Sequence, residues 1–282
     1  MSIYAPARMR DKDFNQFSSF IYERVGIQLP PTKKTMLEAR LQKRLKALAM
    51  ESFEEYGTYV FSSEGQQAEL VHMIDVVTTN KTDFFREPAH FEYLIEHALP
   101  AIMQQRGHNL SEPVRIWSAG CSSGEEPYTL AIVLSEFAAQ HRGFRFTIMA
   151  SDISTRILET AQTAVYPEER TEGIATALKK TYFLRSKDRR RALVRVSPEL
   201  RRKVVFRRIN FMDSDLGIAE KMDIIFCRNV VIYFDKPTQQ NLMRKFHQQL
   251  RPNGYLFLGH SETLNGLDVD FTTKGSTVYQ KK

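Results

Sequence analysis

Val114-Arg115-Ile116-Trp117-Ser118-Ala119-Gly120-Cys121-Ser122-Ser123-Gly124-Glu125-Glu126-Pro127-Tyr128 is the stretch that decides the fold. It reads as a buried strand, a turn of small residues and the start of a helix. Leu130, Ala131, Val133 and Leu134 continue that helix on an apolar face. Gly120 and Gly124 permit a tight turn and let a ligand approach bare backbone. Pro127 falls in the first helical turn, where its missing N–H costs little. A strand, a glycine turn and a helix are how doubly wound α/β sheets bind nucleotides.

Charge narrows the ligand. A dinucleotide site places a pyrophosphate on the helix N-terminus, but Glu125 and Glu126 at this terminus would repel one. They suit a ligand with an ammonium or sulfonium group, such as S-adenosylmethionine. Acids at a helix start also complement the macrodipole; their place beside a glycine turn after a strand favours the cationic nucleoside.

The chain has 282 residues, 42% of them hydrophobic, with a formal net charge of +7. That length suits one large domain or two smaller ones. The positive balance favours an acidic partner: nucleic acid, an anionic membrane or an acidic protein surface. No apolar run reaches membrane-spanning length, and the N-terminus lacks a signal pattern. The two cysteines, Cys121 and Cys227, lie in different motifs and need not pair. A reducing cytoplasm is the expected compartment.

Residues 1–79 are expected to form an all-helical domain. Phe14, Phe17, Ile21 and Val25 recur at helical spacing before Gly26. After Pro30-Pro31 a second helix carries the stripe Leu37, Leu41, Leu45 and Leu48. Lys33, Arg40, Lys43 and Arg44 fall on one flank of that stripe, either a solvated face or a docking surface for an anionic partner. Two further helices are expected around Phe53–Phe61 and Gln66–Val77. Residues 80–113 form the joint: Asn80, Thr82 and Arg86 can reach a site, Phe84 and Phe85 read as core, and Pro88 starts a helix to about Met103. Gly107 to Pro113 then leads into the first strand.

The remainder, 114–282, is expected to be the sheet domain. Phe146–Ser151 is the second strand, ending at Asp152, where such folds hydrogen-bond ribose hydroxyls; an N-cap role is the alternative. An excursion at about 166–202 reads as a β-ribbon inserted in the sheet domain, with strands at Tyr182–Leu184 and Ala192–Ser197. Val204–Ile209, Asp223–Cys227, Tyr255–Gly259 and Thr277–Gln280 follow as strands, with a helix over Pro237–Leu250. Arg228, Asn229 and Tyr233 lie at the end of the central one. No metal-ligand cluster stands out, and His260 reads as structural. The fold class is therefore α/β: a doubly wound, mostly parallel sheet with a small β-ribbon insertion, preceded by an all-helical domain.

Asn80-Lys81-Thr82-Asp83-Phe84-Phe85-Arg86, Trp117–Tyr128, Ile225-Phe226-Cys227-Arg228-Asn229-Val230-Val231-Ile232-Tyr233-Phe234 and Phe257-Leu258-Gly259-His260-Ser261-Glu262 occur in this order. Together they closely resemble the chemotaxis-receptor glutamate O-methyltransferases, over nearly the whole chain. The resemblance implies methyl transfer from S-adenosylmethionine to glutamate side chains on the cytoplasmic helical bundle of chemoreceptors. The products would be glutamate methyl esters and S-adenosylhomocysteine. It implies that Asn80, Thr82 and Arg86 contact the methionine end of the cofactor or the reacting centre, with Glu125 on its cationic end and Asp152 on the ribose. Asn210 and Phe211 would flank the adenine, while Arg228, Asn229 and Tyr233 would close the site. Arg86 and Tyr233 are the expected catalytic groups. In this family the ribbon can bind a receptor's C-terminal peptide where its loop carries glycines; Ser186 to Ala192 has none. The implied protein is a cytoplasmic monomer with no metal, nucleic acid or inserted membrane segment. Two rival readings are a nucleic-acid methyltransferase and a non-enzymatic S-adenosylmethionine sensor. The first calls for aromatic residues among the basic ones, and the Lys33–Lys46 helix has none; the second calls for ligand binding without turnover.

Overall fold

The computed structural model describes residues 7–106 and 112–282, so most of the lead-in expected over Gly107 to Pro113 lies outside the described residues. Five helices come first: α1 (Asp11–Val25), α2 (Lys34–Leu48), α3 (Phe53–Phe61), α4 (Ser63–Ala68) and α5 (Leu70–Val77). Their apolar faces converge in one cluster that includes Phe17, Ile21, Leu37, Leu41, Leu45, Tyr56 and Met73. α1 stops at Gly26, whose left-handed φ of 74° lets its N–H reach Tyr22 O at 2.8 Å. The single helix expected over Gln66–Val77 is two helices broken at Glu69. The buried Glu69 carboxylate accepts Arg44 Nε and Nη2 at 2.7 and 2.8 Å and Tyr56 Oη at 2.9 Å.

The strands are β1 (Val114–Ala119), β2 (Phe146–Asp152), β3 (Val165–Pro167), β4 (Phe183–Arg185), β5 (Leu193–Val196), β6 (Val204–Arg208), β7 (Met222–Cys227), β8 (Leu250–Leu258), β9 (Phe271–Gly275) and β10 (Val278–Lys281). Seven form one sheet in the order β6-β2-β1-β7-β8-β10-β9. β6, β2, β1, β7 and β8 run parallel, and β10 and β9 are antiparallel additions at one edge. The chain leaves β1 toward β2 and β6, then returns to β7 on the other side. The ends of β1 and β7 therefore flank the switch point where open α/β sheets bind ligands. β7 is buried at every position, as a central strand covered on both faces must be.

Three details differ from the sequence reading. The insertion is a three-stranded antiparallel sheet, β3-β5-β4, because Val165–Pro167 pairs with β5. β8 begins at Leu250, with a register shift near Met222 that accommodates residues 251–254. The helix after Pro88 runs to Arg106 through a π-helical turn at Leu94–Ala98.

The helical part is fastened to the sheet beside this crevice. Thr155 Oγ1 donates to Asp75 at 3.0 Å, Tyr22 Oη to Asp235 at 2.6 Å, and Asn210 Nδ2 to Arg24 O at 2.8 Å. Arg44, expected on a docking flank, is consequently a structural cation. Replacing it with Ala leaves the Glu69 carboxylate buried without its counter-charge, which should cost roughly 3 kcal/mol. Urea unfolding should show a clearly lower midpoint for Arg44→Ala; an unchanged midpoint would return Arg44 to the solvated surface.

Candidate functional site

The glycine turn is shaped by backbone bonds. Gly120 N and Cys121 N both donate to Ser151 O at 2.8 Å, tying the turn to the end of β2. Gly120 has φ 81°, and a Cβ there would lie 2.5 Å from Val230 Cγ2. Ser122 adopts φ 50°, which aims its N–H at Asp152 Oδ2, 2.9 Å away. The other Asp152 oxygen accepts Ser154 N at 3.0 Å. Ser154, and not Asp152, caps the next helix. Burial pushes the Asp152 carboxyl above its ordinary range, while the N–H groups of Ser154 and Ser122 oppose that shift.

One cavity opens at the switch point. It is lined by Asn80, Thr82, Arg86, Asp152, Asn210, Phe211, Arg228, Asn229 and Tyr233, and also by Lys33 and Arg40 from the helical part. The 80–86 segment is held in place by Ser122 Oγ, which donates to Asn80 O at 3.0 Å, and by Arg86 Nη1, which donates to Lys81 O at 3.2 Å. Phe84 and Phe85 anchor it in the core, edge-on to Tyr166 and Phe91 respectively. Phe211 is edge-on to Trp117 and Phe246.

Three expected site residues are placed otherwise. Glu125 is buried outside the cavity lining: its carboxylate accepts Arg170 Nη2 and Ser123 Oγ, each at 2.6 Å. Consecutive helical side chains diverge by about 100°, and it is Glu126 that faces the cavity. Arg44 serves Glu69. Arg40 is tied to the joint, donating to Val77 O and, at 2.9 Å, to Thr79 Oγ1. That makes it part of the cavity wall and not an outward docking cation. Lys43 is exposed and outside the cavity, and Lys33 is exposed at its rim.

Beneath the cavity lies a buried polar cluster that the sequence reading missed. Arg228 Nε donates to Glu126 Oε2 at 2.7 Å, and its Nη1 donates to Arg86 O at 2.6 Å. The guanidinium packs over the rings of Phe91 and Phe226. Glu87, His90 and His260 lie around it, with ligand-capable atoms within 4.8 Å of one another. His90 and His260, far apart in sequence, are thus close in space. Arg228 Nη1 stands 3.6 Å from the Glu87 oxygen and 3.4 Å from His90 Nδ1, so a permanent cation already serves this cluster. Burial and the neighbouring Arg228 pull His90 down to about 4, against the pull of Glu87. With the guanidinium facing Nδ1, the ring proton belongs on Nε2, which is 3.0 Å from Thr277 Oγ1.

The cavity's chemistry fits S-adenosylmethionine. It offers a buried carboxylate for a ribose diol and an aromatic and aliphatic wall at Phe211, Ile153 and Val230 for a base. Residues 12–78 match the family model described as the CheR methyltransferase all-alpha domain, and residues 80–280 match the CheR methyltransferase SAM binding domain. The chain belongs to the CheR methyltransferase family. It is 42% identical to chemotaxis protein methyltransferase 2 of Pseudomonas aeruginosa over 95% of its length and 92% of the relative's. It is 39% identical to a chemotaxis protein methyltransferase of Borreliella burgdorferi, over 90% of this chain and 89% of that one. The corresponding Escherichia coli protein is 38% identical, over 96% and 91%. The CheR chain is thus an S-adenosylmethionine-dependent methyltransferase. Among the described residues, no helix is long and apolar enough to cross a membrane.

Two outcomes follow. Asp152→Asn removes one acceptor and the charge, so S-adenosylmethionine should bind at least about tenfold more weakly by calorimetry; equal affinity in a folded variant would move the ribose contact elsewhere. His90 has a lowered folded pKa, so the unfolded chain takes up its proton first as the pH falls. The stability this gives is fully present above about 6.5 and is lost toward 4, an effect on the order of 3 kcal/mol. Urea midpoints between pH 7 and 4.5 should fall less steeply for His90→Gln than for the unmodified chain; parallel curves would exclude His90 as the source.

Proposed function

We propose that this CheR chain methylates glutamate side-chain carboxylates on the cytoplasmic helical bundle of a chemoreceptor. The observation that carries the reading is the mixed lining of the cavity. The cofactor-type groups Asp152, Asn210 and Phe211 share one wall system with Arg86, Arg40, Lys33 and Tyr233, which suit an incoming anion. Among the described residues Arg86 has no acidic partner; its guanidinium donates to Lys81 O.

S-adenosylmethionine supplies a methyl group on a sulfonium centre and departs as S-adenosylhomocysteine. A glutamate carboxylate is ionised at neutral pH, its ordinary pKa being about 4.3. The protein therefore needs no general base. Its task is to hold the carboxylate in line with the methyl group and keep water out. Arg86 can grip a carboxylate by paired hydrogen bonds, and the Tyr233 phenol can direct one oxygen. Too firm a grip would make the carboxylate a poorer nucleophile, so these contacts should orient it more than neutralise it. The exposed Lys33, just before α2, and Lys43 on α2 remain as steering charges for an acidic helical surface, effective within about 8 Å at physiological ionic strength.

The test is incubation with methyl-labelled S-adenosylmethionine and receptor cytoplasmic fragments. Base-labile label should appear on glutamates of the fragment, and its absence would refute the substrate. Arg86→Ala and Tyr233→Phe should each lower turnover at least about tenfold, with smaller changes in cofactor affinity. Unchanged turnover in both would remove them from the reacting centre.

A further inference from the structure

The motif Gly259-His260-Ser261-Glu262 has no part in the chemistry above, yet Glu262 is almost fully buried, at 3% exposure. Its carboxylate gathers backbone donors from two separate segments. Oε2 accepts Gly259 N at 2.6 Å and Asn229 N at 2.9 Å, and Oε1 accepts Ile232 N at 3.3 Å. Glu262 N in turn donates to Gly259 O at 2.9 Å, which closes the turn after β8. The groups that offset its burial are all backbone N–H groups, those of Gly259, Asn229, Ile232 and Val231; no cation is among them.

What these donors hold is the far wall of the cavity. Asn229 follows β7 in the left-handed region, at φ 59°. Ile232 is the middle residue of the 3-10 turn Val231–Tyr233, which carries Tyr233 to the cavity. Gly259 is needed here for closeness: a Cβ would lie 2.7 Å from Asn229 Nδ2, 2.8 Å from Asn229 N and 3.0 Å from Glu262 Oε2. A carboxylate is the side chain that suits the place. It is acceptor-only on both oxygens, whereas an amide would point N–H groups at one of these donors.

We propose that Glu262 is a positioning residue, whose carboxylate gathers the N–H groups of Gly259, Asn229 and Ile232 and thereby fixes Asn229 and Tyr233 on the cavity wall. The part concerning Tyr233 rests on the substrate reading above; the part concerning Asn229 rests only on the use of S-adenosylmethionine. Glu262 does not line the cavity, so its effect must pass through those two residues. An effect passed through Tyr233 shrinks when the phenol is gone.

The experiment uses the full chain with Glu262→Gln and Gly259→Ala, each alone and combined with Tyr233→Phe. Three quantities are read: turnover on receptor fragments, the S-adenosylmethionine dissociation constant by calorimetry, and the amide proton shift of residue 259 by NMR. Glu262→Gln should lower turnover about tenfold in the parent chain and less than about threefold in the Tyr233→Phe background. It should weaken cofactor binding at least about threefold through Asn229 and move the Gly259 amide proton upfield. Gly259→Ala, which wedges the same contact, should show the same dependence on background. Equal losses in both backgrounds would overturn the proposal, as would parent-like turnover in either single variant. Failure of both variants to fold would make Glu262 a residue of the fold alone, which also overturns it. Should the parent chain label no receptor fragment, the substrate reading falls by itself. The positioning proposal is then decided by cofactor affinity and the amide shift, and is overturned if neither changes.

Discussion

The Arg228 guanidinium is the charge around which the cavity is assembled. It is buried at the end of β7, paired with Glu126 at 2.7 Å, bonded to Arg86 O at 2.6 Å, and stacked on Phe91 and Phe226. Those contacts join the glycine-turn helix, the 80–86 segment and the central strand. Burying an ion pair is expensive, and a hydrophobic replacement of equal shape is often as stable. Removing one partner is a different matter, because the other charge stays buried and unpaired. A wedge of this kind gives less net stability than strict registry: Glu126, Arg86 and the end of β7 satisfy the guanidinium together only in one arrangement. Neutral His90 belongs to the same logic, since a second cation 3.4 Å from Arg228 would push the cluster apart.

The helical part is a wall of the site as well as a neighbour of it. Lys33 and Arg40 line the same cavity as Asp152. Gln28 N donates to Tyr233 O at 2.9 Å, so the segment after α1 also touches the turn that carries the phenol. Arg40, bonded to Val77 O and Thr79 Oγ1, fixes the chain immediately before Asn80. A charge reversal at Arg40 would therefore disturb the joint, and with it the cavity. Lys33 and Lys43 are cleaner probes of electrostatic steering, although Lys33 stands at the rim.

The sheet and its order of elements were legible because period-2 and continuous apolar runs are strong signals, and because the glycine turn ties β1 to a ligand-binding geometry. Asp152 and Arg228 could be located from their strand ends alone. Three things could not be read. Val165–Pro167 is too short to register as a strand until β5 is there to pair with it. The choice between Glu125 and Glu126 turns on one step of helical phase, and Arg170, which claims Glu125, comes from the insertion 45 residues later. Arg44 on the charged flank is a similar case: it cannot be told from a free surface cation until the buried Glu69 is placed opposite it.

Carboxylates explain the division of labour within the site. Asp152, Glu126 and Glu262 are all buried beside the cavity, and each is satisfied differently. Asp152 takes two backbone N–H groups and, with the other lone pairs on its oxygens, can still accept ribose hydroxyls. Glu126 takes Ser118 Oγ at 2.6 Å and the Arg228 guanidinium, so its charge is largely neutralised before any ligand arrives. Glu262 is filled by backbone donors from two segments and works as a clasp. Among the described residues Arg86, like Lys33, Arg40 and Lys81, is then a cavity-lining cation without an acidic partner, in a site whose own acids are already engaged. An incoming carboxylate then meets an orienting guanidinium without competing acids within the protein, which is the electrostatic condition an alignment mechanism requires.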